Sequence, residues 1–149
     1  MKFTKSIFFF SLALIFFACQ KDQDEMPVNP VDASKPAGTF NVNRSGVFQK
    51  QNGYNAEGNV EIGTDDETKQ WLHFADNFNA SLSTGAVTVY LSKNQNLTLN
   101  TSNSFLRVEL VTKPGEHFYK IDPAANADFK FAILWCASAG VQFGNAELK

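Results

Sequence analysis

Phe129-Lys130-Phe131-Ala132-Ile133-Leu134-Trp135-Cys136 is the stretch on which the fold turns. Apart from Lys130 it is apolar throughout. Read with a period of two, it puts Phe129, Phe131, Ile133 and Trp135 on one face and Ala132, Leu134 and Cys136 on the other. A strand apolar on both faces belongs in the middle of a sheet or between two layers. Cys136 is therefore expected to be at least partly buried, with Trp135 packing on the opposite face.

Similar short extended runs recur on either side, separated by turn residues. Thr39–Gln51 alternates loosely through Phe40, Val42 and Val47, with Ser45-Gly46 a candidate bulge. Asn52-Gly53 is a hairpin signal before a second run, Ala56–Thr64, that carries Val60 and Ile62. Asp65-Asp66-Glu67 makes the next turn, and Gln70–Ala75 gives a strand through Trp71, Leu72 and Phe74. Val87–Ser92 follows, with Val87, Val89 and Leu91 on one face. Phe105–Thr112 and Glu116–Ile121 flank the turn Lys113-Pro114-Gly115. Val141–Leu148 comes after the Trp-Cys strand. Asp76 could cap a helix, but position 79 is Asn rather than Glu or Gln, and the apolar spacing ends within two turns. Asp76–Ser83 thus reads as a polar loop. The fold class is all-β: a single antiparallel β-sandwich or barrel-like domain over residues 38–149.

Residues 1–18 read as a signal peptide. Lys2 and Lys5 precede an apolar stretch from Ile7 to Phe17 that is too short for a comfortable membrane span, and Ala18-Cys19 follows. This layout resembles a bacterial lipoprotein signal, which implies that Cys19 becomes the acylated first residue of the mature chain, with palmitate among its acyl groups. The domain would then be anchored to a membrane without spanning it. Lys21-Asp22-Gln23-Asp24-Glu25 resembles the charged tag of surface-exposed lipoproteins. Pro27, Pro30 and Pro36 make residues 19–37 a tether with no core of its own. The expected location is the cell envelope, as an outer-membrane lipoprotein that can face the surface.

Removing residues 1–18 leaves 11 Lys+Arg against 15 Asp+Glu, a net charge near −4. That mildly acidic balance lacks the clustered basic face expected of a nucleic-acid binder. Six of the fifteen Phe leave with the signal, and the other nine, with Trp71 and Trp135, suffice for a sizeable core.

Val89-Tyr90-Leu91-Ser92, Gly115 to Ile121, Ile133-Leu134-Trp135-Cys136 and Phe143-Gly144-Asn145-Ala146-Glu147-Leu148 together resemble the DM-thirteen domain. Gly46 to Phe48 and Gly58 to Ile62 fit its opening pattern, so the likeness covers Gly38 to Leu148, and the Trp-Cys pair with its Phe-Gly tail is its most specific part. The resemblance implies a β-domain with an electron-transfer role centred on one cysteine, here Cys136, with a haem-type group as the suggested cofactor.

The residues themselves leave alternatives open. Once Cys19 is acylated, Cys136 has no disulfide partner, and it is either a redox thiol or a small buried hydrophobe. His73 and His117 are the other candidates for cofactor binding, and with Cys136 they could complete a His-His-Cys set. Asp65, Asp66 and Glu67 are oxygen ligands at a turn, but their spacing fits no calcium loop, and a solvated hairpin tip is expected. No metal site is assigned. Asn77, Asn79, Asn94, Asn96, Asn100 and Asn103 crowd the middle of the chain and suit loops. Nucleophile elbow, phosphate loop and paired zinc-ligand motifs are all missing, so no autonomous enzymatic activity is expected. Two functions follow as expectations: redox chemistry at Cys136 serving an envelope partner, or a surface module whose Asn-rich loops bind an envelope protein or a glycan.

Overall fold

The computed structural model describes residues 35–149, so the signal segment, Cys19 and most of the tether lie outside the described residues. Eleven strands follow in order: β1 Asn41–Val47, β2 Gln49–Lys50, β3 Ala56–Glu57, β4 Asn59–Thr64, β5 Gln70–Phe74, β6 Asn79–Ala80, β7 Val87–Ser92, β8 Phe105–Val111, β9 His117–Lys120, β10 Phe131–Cys136 and β11 Val141–Glu147. A single 3-10 turn, Leu82–Thr84, precedes β7. A four-stranded sheet runs β1-β4-β5-β9, a five-stranded sheet runs β2-β11-β10-β7-β8, and β3 pairs with β6 in a small third ladder. Every pairing is antiparallel. The two larger sheets pack face to face over one core, an open sandwich and not a closed barrel.

The Trp-Cys strand occupies the centre of the five-stranded sheet, between β11 and β7. In register, Ala132 faces Leu91, Leu134 faces Val89 and Cys136 faces Val87, so these six side chains share the inner face. Across the core stand Val60 and Ile62 of β4 with Leu72 and Phe74 of β5. All ten are no more than 1 % exposed. Each fully buried Val, Leu, Ile or Phe contributes about 1.5–3 kcal/mol, which fixes the register of both sheets, because a slip of one residue would turn this set to solvent. Phe48 and Phe78 fill the same core against Phe74, at ring separations of 5.4 and 4.3 Å.

The outer face of β10 is also covered. Ile133 is 0 % exposed although it lies outside the inter-sheet cluster. The segment between β7 and β8 is tied to this face: Leu97 N donates to Gln142 Oε1 at 3.1 Å, and Gln142 Nε2 donates to Gln95 O at 3.0 Å. That cover explains why β10 is apolar on both faces.

Five details depart from the sequence expectation. The bulge of the first run falls at Asn43, between Val42 and Arg44, and not at Ser45-Gly46. Gly46 is needed for a different reason: a Cβ there would stand 2.4 Å from the Glu147 carbonyl oxygen. The run itself divides at Phe48, with β1 joining one sheet and β2 the other. Asn52-Gly53 does form a tight turn, with φ of 53° and 77° and Tyr54 N bonded to Gln51 O at 3.0 Å, but its flanking strands pair elsewhere and make no hairpin. The stretch Asp76–Ser83 contains β6 and buries Phe78 to 1 % exposure, so it is not simply a polar loop. The Lys113-Pro114-Gly115 turn likewise joins strands of different sheets, β8 and β9.

Candidate functional site

Cys136 ends β10 with its thiol in the apolar core, 0 % exposed, and it is the free cysteine of the described residues. Its carbonyl accepts the Gly140 N–H at 2.9 Å, closing the tight turn into β11. On the other flank, Ala137 N donates to Ala86 O at 3.2 Å and draws the Gly85-Ala86 backbone alongside. A Cβ built on Gly85 (φ 136°) would stand 2.3 Å from Ser138 Oγ and 3.8 Å from Cys136 Sγ. Gly85 therefore packs over this end of the strand where a larger residue would not fit. Lys130, the nearest cation in the strand's own sequence, is exposed at the far end. A sulfur enclosed in this way cannot meet a second sulfur in line, as thiol–disulfide exchange requires.

The histidines do not join it. His73 pairs with Phe118 and Phe74 with His117 across β5 and β9, so the two imidazoles leave opposite faces of the four-stranded sheet, whereas Cys136 belongs to the other sheet. His73 is held on both nitrogens: Nδ1 lies 2.8 Å from Glu61 Oε2 and Nε2 lies 3.2 Å from Glu116 Oε1. Its ring stacks on Phe118 at 4.2 Å, with Phe40 edge-on at 5.6 Å. His117 Nε2 donates to Lys113 O at 2.8 Å. No group of three His, Cys, Asp or Glu side chains able to hold a metal occurs among the described residues. Cys136, His73 and His117 thus fail to make a haem or metal ligand set, and the thiol has close-packed side chains where a macrocycle would need room.

Sequence reasoning missed Asp65. The β4–β5 hairpin tip is solvated at Asp66 and Glu67, as expected, but Asp65 is a carboxylate 4 % exposed. Its Oδ1 accepts the Glu67 and Lys69 amides at 3.0 and 2.9 Å, and its Oδ2 accepts Trp71 Nε1 at 2.9 Å and the Ala37 amide at 3.2 Å. Burial raises its pKa, but these four hydrogen bonds outweigh burial and hold it below its ordinary value. Four N–H donors converging on one carboxylate leave no lone pair for calcium. Asp65 is a clamp that ties the entry of the domain and Trp71 to the β4–β5 turn. The pattern Asp-x-Glu-x-Lys-x-Trp carried no warning, because the Ala37 contact lies 28 residues away.

Trp135, on the outer face, borders a cleft of about 490 Å³ with Gln51, Asn52, Asn96, Leu97 and Gln142. Of the crowded asparagines, only Asn96 reaches this cleft. Asn77 and Asn79 instead tie their stretch to β4 and β3: Asn77 Oδ1 accepts the Asn59 N–H at 2.9 Å, and Asn79 Nδ2 donates to Glu57 Oε1 at 3.1 Å.

No curated protein and no solved structure shows significant similarity to the chain. The sequence model of one family, described as electron transfer DM13, matches residues 47–148. The match begins at the last residue of β1, takes in the core strands of both sheets and the Trp135-Cys136 pair, and ends one residue past β11. With well over half of its length covered, the chain belongs to the electron transfer DM13 family.

Proposed function

We propose that this protein is a lipid-anchored domain of the cell envelope that passes single electrons to or from an envelope partner, with Cys136 as its redox centre. The observation that carries the reading is the position of Cys136: it is the one cysteine in the span that matches an electron-transfer family, and it lies wholly inside the core. Burial disfavours thiol exchange, which needs contact between sulfurs. It does not bar one-electron exchange: oxidation of the thiol to a thiyl radical passes one electron to the envelope partner and releases the thiol proton to solvent, and reduction by the partner takes both back. The redox chemistry expected at Cys136 therefore narrows to electron exchange. The acyl group on Cys19 would hold the domain at the membrane beside its partner.

Protein-film voltammetry of the full-length chain and of Cys136→Ala tests this directly. A one-electron wave in the wild type that is missing from a folded variant supports the reading. Equal voltammograms from the two proteins overturn it and leave Cys136 as packing.

A further inference from the structure

Trp135 and Cys136 leave β10 on opposite faces, so chemistry at the thiol gives no reason for the cleft in front of the indole. That cleft, at about 490 Å³, falls in the size range of small-molecule sites. Its side chains are Gln51, Asn52, Asn96, Leu97, Trp135 and Gln142, with Gly140 and Val141 completing the wall, and none of them is ionisable. They come from four separate stretches of chain and are locked together by one buried residue.

Gln142 is that residue, 6 % exposed. Its Nε2 donates to Gln51 Oε1 at 2.7 Å and to Gln95 O at 3.0 Å, and its Oε1 accepts the Leu97 amide at 3.1 Å. Its main-chain carbonyl accepts Asn52 Nδ2 at 2.7 Å. Because Gln51 is engaged through its oxygen and Asn52 through its nitrogen, the amide atoms left for a ligand are a donor, Gln51 Nε2, and an acceptor, Asn52 Oδ1. Asn96 is exposed and adds one of each. Held amides at Gln51 and Asn52, with Asn96 at the rim, thus offer both donors and acceptors beside an indole.

A ring that carries hydroxyls around its edge and C–H groups on its face matches this layout. Each hydroxyl can both donate and accept, and the apolar face can lie on the aromatic ring. An anionic or cationic ligand would lose hydration without gaining a counter-charge. We propose that the cleft between Trp135, Gln51, Asn52 and Asn96 is a binding site for a neutral saccharide, with Gln142 as the positioning residue. This site stands independently of the redox reading.

Titration calorimetry on the full-length chain in zwitterionic micelles tests it. The probes are cellotriose, maltotriose and the trimer of N-acetylglucosamine, with trigalacturonate as the anionic control. At least one neutral trisaccharide is expected to bind and to alter tryptophan emission; the change reports on Trp135, because Trp71, the only other tryptophan, is 3 % exposed and out of a ligand's reach. Trp135→Ala should abolish the binding heat. Asn96→Ala, at an exposed loop position where the fold is not at risk, should weaken binding about tenfold, as the loss of a ligand hydrogen bond does. Silence from all three neutral sugars, an equal response to trigalacturonate, or affinity unchanged in Asn96→Ala would each overturn the proposal.

Discussion

The Cys136 sulfur is enclosed by Val87, Leu134 and their neighbours, and that decides which substitution isolates its chemistry. Serine is the conservative choice by shape, yet it would bury a hydroxyl among apolar groups at a cost of about 1–3 kcal/mol. Alanine removes the sulfur, buries nothing polar and leaves a void of roughly one heavy atom, worth about 1 kcal/mol. Cys136→Ser should therefore melt lower than Cys136→Ala, and differential scanning calorimetry of the two side by side checks this. The opposite order would mean that a polar partner reaches the thiol. Asp65 offers a second test at this scale, read from pH. Its carboxyl titrates lower in the folded chain than its ordinary 3.8, so the unfolded chain binds more protons below that value. Its contribution is present above pH 3.8 and is lost as pH falls through the lowered value. In Asp65→Asn the side-chain NH₂ would face two of the four donors, so this variant should be less stable at pH 7. Acid should then narrow the gap to wild type, and urea melts at pH 7, 4 and 3 would show it. A gap that stays constant with pH would mean that the charge of Asp65 contributes nothing.

At the scale of elements, β3 and β6 are two residues each, and their ladder exists because Gly58 lets the chain pass close to Phe78. Gly58 has φ of 100°, and a Cβ there would lie 2.5 Å from Phe78 Cα. Gly53 has φ of 77° but open space around it. Gly53→Ala should cost only the backbone term, about 1 kcal/mol, whereas Gly58→Ala adds a backbone clash that has to move Phe78 out of the core, for a total of about 3 kcal/mol or more. Urea midpoints at constant m-value measure both, and equal midpoints would show that the Phe78 contact is soft. The same two glycines lie in the part of the chain whose pairing the sequence left hidden. β7, β5 and β10 could be read because alternation is a local property, and β10 could be placed centrally because both of its faces are apolar. The passage of the first run from one sheet to the other at Phe48 could not be read, since strand pattern says nothing about partner. Nor could the Asn52-Gly53 turn reveal that its flanks pair with β11 and β6.

Across the whole molecule, the two candidate sites differ in legibility for the same reason. Cys136 stood out alone, because scarcity of cysteine is a property of composition. The saccharide cleft draws on positions 51, 52, 96, 135 and 142, which only the sandwich brings together, and Gln142 in the chain looks like any polar residue of an edge. Asp65 was hidden by its long-range partner in the same way. The N-terminal reading is the reverse case: it rests wholly on local sequence, with Lys2 and Lys5, an apolar stretch and Ala18-Cys19. A single acyl chain gives only marginal, reversible membrane binding, and stable anchoring takes more than one. Every acyl group here would depend on Cys19. Cys19→Ala should therefore abolish incorporation of labelled palmitate and move the chain from the membrane pellet to the soluble fraction. The matched span, residues 47–148, excludes position 19, so the melting temperature and the one-electron wave of the released domain should stay as in the wild type. Fractionation and palmitate labelling of the wild type and Cys19→Ala read the first half of this expectation, and voltammetry of the soluble variant reads the second. A variant that stays in the pellet without palmitate would show that something other than the acyl groups holds the protein to the membrane.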